Sequence, residues 1–489
     1  MPEQPAAPQT TCGVRDMLPV RRISALCSLE FHPVNTSPAD QPHSSPAEGP
    51  LTGCPAHALG PQAPPLYGAD VESDFTAAEE SLRARYGPVA PVTLQGGVPA
   101  WLVLGYEENL EVMRDAGRFT RDSRAWNIQL DDQHPLAPLT AWQPLLNLTD
   151  GEEHTRLRKA VVKSLSNFNS SASMTESAGH GIQLYVARRA RLLIDEFIER
   201  GKADLVSQFA DLLPLQVIAH LLGLSEEHVP ALVGSVPDTI TGSDTAVESN
   251  RQVTALLYDL VDRKTHAPGH DITSRLIAHK VREGLGGDDL RREVAEHLRM
   301  ILTMTHSSMP AVLASTLRMM LTDSRFRGEL AGLQMTLPDA VEQVLWDFPP
   351  MIRLIGRWAL VDTWLAGQLV KKGDLLVHAI GAANRDPKIR PDINEPLRGN
   401  KSHVSFSAGA HECPGQDLVR GIASVGIDVL HERLRDLRLA VPSSEVREEQ
   451  ALMSRHLNKL PVTFTPGKRV HILRTPPTAG ADRAAAGLR

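Results

Sequence analysis

Through the body of the chain, apolar residues recur three and four positions apart, as in YVARRARLLIDEFIERG (185–201) and FADLLPLQVIAHLLGLS (209–225). That spacing lines one face of a helix and predicts α-helix as the dominant element. Strand-like runs are fewer: VAPVTL (89–94) and PAWLVLG (99–105) near the front, RWALVD (357–362) and LLVHAI (375–380) in the middle, LPVTFTP (460–466) near the end. Strands this scattered do not alternate regularly with helices, so the pattern predicts a mainly α protein with small peripheral β-sheets (α+β). GLGGDD (284–289) precedes a helical pattern but lacks the spacing of a dinucleotide or phosphate loop.

The periodicity fades at both ends. Residues 1–65 are rich in Pro, Ser, Ala and Gln, and residues 471–489 include RTPPTAGADRAAAGLR. Such segments bury too little apolar surface to offset the entropy of ordering, so both read as disordered tails around a single large domain, 66–470. With 489 residues, 42% of them hydrophobic, the chain can bury a sizeable core. The net charge of -7 is small, and no basic run is interleaved with aromatics, which argues against nucleic acid as a partner. No run of about 20 apolar residues predicts a transmembrane segment, and no compact apolar run marks a secretory signal, so a cytoplasmic location is expected.

Cys12, Cys27 and Cys54 fall in the front tail, leaving Cys413 alone in the body, which argues against a disulfide framework. Cys413 sits in FSAGAHECPG (406–415), just before the helical pattern QDLVRGIASVGIDVLHERL (416–434). Pro414 suits the first turn of that helix. A cysteine at a helix N-terminus meets unpaired N–H groups and the positive dipole end, which favour a thiolate. Gly409 and Gly415 leave room for the backbone to pass a flat cofactor. Taken alone, a lone cysteine is more often an inert core thiol. Zinc is disfavoured because the body has no second cysteine, and neither His411 nor His431 has a histidine four residues on. A cysteine hydrolase with His154 or His411 as base stays formally open.

The spacing Phe406-x-x-Gly409-x-His411-x-Cys413-x-Gly415 resembles the haem-ligand loop of the cytochromes P450. The resemblance runs from about Tyr67 to Thr465 and includes GKADLVSQFADLLPLQVIAHLLG (201–223) and AANRDP (382–387). It implies the cytochrome P450 fold, haem b (iron protoporphyrin IX) as cofactor, and Cys413 as the axial ligand to the iron. In TDGEEHTRLRKAV (149–161), Asp150 can cap a helix, and His154 and Arg158 fall four apart on one face. Without the resemblance that face reads as solvated; with it, His154, Arg158, Arg357 and His411 match the residues that hold the haem propionates. Phe406, Gly409 and Gly415 match the rest of the cofactor loop. The implied activity is a monooxygenase that inserts one oxygen atom from O2 into a small organic substrate, fed by a separate ferredoxin and ferredoxin reductase. Docking of that partner is expected on a basic surface around Arg156, Lys159, Lys163 and Arg420.

Two segments depart from the family pattern. In DAVEQVLWDFPP (339–350) the usual Glu-x-x-Arg pair aligns with Gln343 and Trp346, and neighbouring Glu342 has Leu345 three residues on. Loss of both partners of a buried ion pair is compatible with folding, and a small bacterial subgroup of the family has Gln and Trp here. In HLRMILTMTHSSMPAVLASTLRMML (297–321) the acid–alcohol pair of the oxygen-activation helix aligns with Ser307 and Ser308, the expected catalytic positions. A serine is a poorer proton source than an acid, and Pro310 removes a backbone donor and is expected to open the helix locally. His306 is a further relay candidate. These departures keep open a peroxide-dependent or non-oxidative haem-thiolate enzyme, or a haem-binding sensor without turnover.

Overall fold

The computed structural model describes residues 63–131, 134–169, 179–241, 245–332 and 335–470. The two tails called disordered, 1–62 of the first and 471–489, lie outside the described residues. The chain joins the fold slightly before the expected edge at 66. Ala63 is buried, the Pro64 carbonyl accepts from Thr93 N–H at 3.0 Å, and Pro65 bridges to Thr93.

The principal sheet has strands β1 (Val89–Leu94), β2 (Val98–Val103), β3 (Phe119–Thr120), β4 (Leu354–Ala359) and β5 (Leu375–His378), in the spatial order β1-β2-β5-β4-β3. All the strands expected from sequence are present, including Pro461–Thr463 in a smaller sheet. The β4–β5 register breaks between Ile355 and Arg357, where Gly356 takes φ +101°. Only glycine adopts that backbone freely, and such a bulge re-aims the residue beside it, here Arg357.

Helices dominate. Those that position the site are α1 (Tyr106–Arg114), α2 (Gly151–Asn169), α3 (Leu212–Leu222), α4 (Ile272–Arg282), α5 (Gly287–Thr322), α6 (Leu337–Asp347) and α7 (Gln416–Arg433). The apolar faces of α3, α5 and α7 meet in the main core through Leu213, Ile218, Leu298, Leu313, Ile422 and Ile427. Leu213 is fully buried there, so α3 contributes to the core. The central helix α5 runs unbroken through Pro310. The missing N–H costs one hydrogen bond, that to the His306 carbonyl, and packing on both sides holds the helix together. Among the described residues, no helix is long and apolar enough to cross a membrane.

Candidate active site

Cys413 lies in a loop that two short helical turns, Val404–Phe406 and Gly409–His411, fold back on itself. Its backbone N–H donates to the Phe406 carbonyl at 2.8 Å. The helix that follows, α7, starts at Gln416 with Gly415 as its N-cap, so Pro414 stands before the helix and not in its first turn. Ser407 takes φ 60°, ψ -169°, a conformation that non-glycine residues rarely hold.

The two glycines have different reasons. Gly409 has φ +69°, and a Cβ there would come 2.7 Å from the Met113 carbonyl of α1, so its smallness serves the packing of the loop on α1. Beside Gly415 nothing lies within 4 Å of a Cβ, which leaves the open side expected of a cofactor face. The thiol differs from the sequence expectation. Burial pushes it up, opposed by a hydrogen bond from the Gly415 backbone and by the charges of Arg158 and Arg420. The helix N-terminus alone does not offset that burial; a bound metal ion would, because coordination deprotonates a ligating thiol.

A basic cluster stands beside this loop. His154 (4% exposed) packs against His411 with ring centres 4.2 Å apart and planes tilted by 39°, and Arg357 (3% exposed) comes from the β4 bulge. Burial is the leading cause that lowers His154, takes His411 to about 4 and takes the Arg357 guanidinium to about 9. Asp150 does not spend its side chain on capping α2. One oxygen accepts from His411 Nε2 at 2.7 Å, and the other from the Thr120 hydroxyl and the Arg121 N–H at 2.6 and 2.5 Å. Burial alone would raise that carboxyl, but these donors outweigh it and hold it well below the carboxylate range.

Arg121 is a member that sequence reasoning missed. It donates to the carbonyls of Asn147 and Ile355 at 3.1 and 3.2 Å, and burial lowers it to about 10. Its only sequence signal is its place directly after a two-residue strand, Phe119–Thr120, too short to read in advance. His154 Nε2, an Arg158 Nη and Arg357 Nε are buried and without a partner among the described residues. Unpaired buried donors are costly, and a cationic group of them fits an anion with several acceptor oxygens, such as the propionates of haem. The residues present therefore fit the cofactor.

The aligned positions of the Glu-x-x-Arg pair are both engaged. Gln343 donates to Asp347 at 2.7 Å and accepts from Leu397 N–H at 2.8 Å, while Trp346 Nε1 donates to the Asn400 carbonyl at 2.9 Å. Arg390 completes the cluster, bonding Asp347 at 2.7 Å. Buried Glu342 adds a contact that the sequence did not reveal: it accepts from His403 and from Arg420, 78 residues away on α7.

The distal candidates are less constrained. Ser307 and Ser308 both donate to the Met304 carbonyl of their own helix, at 3.1 and 2.8 Å. Met304 is 48% exposed and marks the open face of α5. At about 100° per residue, Ser308 lies close to that face and His306 nearly opposite. Burial also lowers His306 to about 4, which favours its neutral form.

Of the expected basic docking surface, Arg156 is tied to Glu153, Glu283 and Glu293, and Arg420 to Glu342. Lys159 and Lys163 of α2 are the exposed members.

No protein-family model matches the chain. It is 30% identical over 399 residues to mycinamicin IV hydroxylase/epoxidase of Micromonospora griseorubida, across 78% of this chain and 96% of that protein. It is 27% identical over 390 residues to cytochrome P450 107B1 of Saccharopolyspora erythraea, across 78% of this chain and 93% of that one. Among solved structures, CYP154C4 from Streptomyces sp. W2061 superposes with a TM-score of 0.70 at 25% identity, covering 80% of this chain and 95% of that one. Near-complete coverage of such relatives, with a half-buried cysteine beside an anion-seeking cluster on the same fold, has one reading: the chain belongs to the cytochrome P450 family, haem-thiolate monooxygenases whose cofactor is haem b.

Proposed function

We propose that Cys413 is the axial ligand of haem b, that His154, Arg158, Arg357 and His411 hold its propionates, and that electrons reach it from a separate ferredoxin and ferredoxin reductase in the cytoplasm. The observation that carries this is the set of buried nitrogens on His154, Arg158 and Arg357 left without partners among the described residues, beside a half-buried cysteine. When bound, the haem supplies an iron centre that activates dioxygen, and an axial thiolate donates electron density that favours O–O cleavage.

The chain's own residues do the rest. The Gly415 backbone gives the sulfur a hydrogen bond, and Phe406 fixes the loop through its carbonyl. Asp150 orients His411 while Thr120 and the Arg121 backbone hold Asp150. Arg158 and Arg357 present guanidinium forks, which match carboxylates better than a lysine does. Ser308, near the open face of α5, is the hydroxyl placed to hand on a proton from water, with Ser307 beside it. Exposed Lys159 and Lys163 are the cations available to a docked acidic ferredoxin.

A second reading, peroxide-driven oxidation, is favoured by a specific feature: both serine hydroxyls are turned onto Met304, and neither is an ionisable proton source. Reconstitution with ferredoxin, ferredoxin reductase and NAD(P)H, in parallel with hydrogen peroxide alone, separates the two. Substrate-dependent NAD(P)H consumption with oxygenated product supports the first, and product only with peroxide replaces it. Turnover with neither oxidant makes the protein a haem sensor.

A further inference from the structure

Glu342 is 2% exposed on α6 and uses both carboxylate oxygens. One accepts from Arg420 Nε at 2.5 Å; the other accepts from Arg420 Nη2 at 3.3 Å and from His403 Nε2 at 2.9 Å. The arginine thus meets the carboxylate as a fork, the geometry that holds a guanidinium most rigidly. Burial by itself would raise the Glu342 carboxyl, but the donors from His403 and Arg420 outweigh it and hold the group below its ordinary value, ionised.

The partners bracket the cysteine. His403 stands where the chain enters the loop, and Arg420 sits one turn into the helix by which it leaves. Between them, the Arg420 guanidinium lies 4.8 Å from the centre of the Phe406 ring, and the His403 ring lies 5.5 Å from it. Phe406 is the residue whose carbonyl receives the Cys413 N–H. The third donor, Arg420 Nη1, goes to Gln416 at 2.8 Å, which fixes the guanidinium on the first turn of α7. One buried carboxylate therefore sets the spacing between the two ends of the loop and places a positive charge near the sulfur.

We infer that Glu342 and Arg420 are positioning residues for the axial thiolate, a long-range clamp on the cysteine loop in a chain whose Glu-x-x-Arg positions carry Gln343 and Trp346. The inference rests on Cys413 being the axial ligand. Gln343 and Trp346 grip the segment before the loop through Leu397 and Asn400. Glu342 instead ties that segment to α7, across the cysteine. With the clamp cut, Arg420 is free to swing away from Phe406, and the bond from the Cys413 N–H to the Phe406 carbonyl is held only by a looser loop. The expected consequence is protonation or displacement of the axial sulfur, without loss of the fold.

The test reads the haem spectrum of purified holoprotein. Glu342→Gln, Arg420→Gln, Arg420→Lys and the Glu342→Gln/Arg420→Gln pair are reduced under carbon monoxide, and the red-shifted thiolate band is compared with the short-wavelength band. Haem content and melting temperature are measured on the same samples. Glu342→Gln and Arg420→Gln should each raise the short-wavelength share several-fold. Arg420→Lys, which keeps the charge without the fork, should fall between them and the parent. The double variant, with no uncompensated charge, should be closer to the parent than the sum of the singles. An unchanged band ratio in Arg420→Gln at parental haem content overturns the clamp, and so do effects that track melting temperature alone. Should a single variant lose haem altogether, Arg420→Lys decides: a parental ratio there overturns the inference, an intermediate one supports it. Cys413→Ala keeps the two claims apart, since a thiolate band surviving in that variant defeats the ligand assignment itself.

Discussion

The loop before and around Cys413 and the stretch of α5 around Ser307 carry the two halves of the family's chemistry, yet they are built in opposite ways. In the loop region, contacts from distant parts of the chain decide nearly every polar group. Glu342 takes His403 and Arg420, Asn384 takes the Val404 N–H at 3.0 Å, and the Leu345 carbonyl takes the Ser405 hydroxyl at 2.6 Å. Around Ser307, the two serine hydroxyls turn inward onto Met304 of the same helix, and His306 is packed without a partner for Nδ1. One region is over-determined, the other locally satisfied and chemically plain. The contrast teaches where substitution is tolerated. A single change in the loop breaks something another element depends on, whereas a change on α5 alters what a helix face offers and leaves the frame alone.

The sharpest break of that contrast is Cys413→Ala. It should abolish the red-shifted band of the reduced carbon monoxide complex completely, while Ser308→Ala should leave the band in place. A band that survives in Cys413→Ala removes the loop from the chemistry. Next in size is the basic cluster. Hydrogen bonds to charged groups contribute about 1.5–3 kcal/mol, so Arg158→Ala should speed haem loss by about ten- to a hundredfold. Arg158→Lys should do less harm, because it keeps the charge and loses only the fork. Equal haem transfer rates to an apo-acceptor in all three proteins would mean that the unpaired nitrogens serve no cofactor.

The segment behind the loop yields a third measurement. Trp346→Arg buries a new cation beside Arg390, whose guanidinium already lies 5.8 Å from the Trp346 ring. Breaking charge balance in such a place costs about 3–5 kcal/mol. Gln343→Glu alone is also unfavourable, since it removes the donor to Asp347 and sets two carboxylates together. Combined, the new Glu and Arg can pair, so denaturant unfolding should show the double variant less destabilised than the two singles summed. Strict additivity would show that the two positions do not communicate.

A smaller effect of opposite sign is expected at Ser407. Its φ of 60° with ψ -169° costs a non-glycine residue about 1–3 kcal/mol, and glycine relieves that while losing about 0.5–1 kcal/mol of backbone entropy. Ser407→Gly should therefore stabilise the protein by about 1 kcal/mol, seen as a higher unfolding midpoint. A lower midpoint would mean that the Ser407 side chain contributes more than the strain removes.

What could be read in advance follows the same division between local and distant. The Cys413 spacing and the i, i+4 pair His154 and Arg158 are local patterns, and residue pattern alone found helix within 185–201 and 209–225 and all five strand segments. Contacts joining remote elements left no local trace. Nothing near Glu342 points to Arg420, and Arg121 gained its role only because β3 pairs with β4, Thr120 opposite Trp358. Local rules also overreached where tertiary packing overruled them. Pro310 does not open α5, Pro414 stands outside α7, and Gly409 is small for the sake of α1. The helix-end argument for a low Cys413 pKa left out burial, which pushes the thiol up.

The smallest expected effect lies on α5 and concerns the supply of protons. The Ser307 and Ser308 hydroxyls are held by the Met304 carbonyl, and His306 is kept neutral on the far side of the helix, so water is left as the proton source near the open face. General acid assistance follows how readily a group gives up its proton at the working pH, and a serine hydroxyl gives it up poorly. Reduced oxygen should then often leave as peroxide before it is used, and product formed per NAD(P)H consumed should be low. Ser307→Asp places an ionisable group one position from Ser308 and disturbs nothing beyond its bond to Met304, so stability should change little. The ratio of product to peroxide should rise by a factor of about two to ten, under about 1.4 kcal/mol in barrier terms. Ser308→Ala should lower the ratio, because it removes the hydroxyl nearest the open face. The measurement is product, peroxide and NAD(P)H in one reconstituted reaction, with a substrate found by its effect on the haem spectrum. Tight coupling in the unmodified protein, unmoved by Ser307→Asp, would show that ordered water supplies protons without help from this face, and that the plainness of α5 carries no cost.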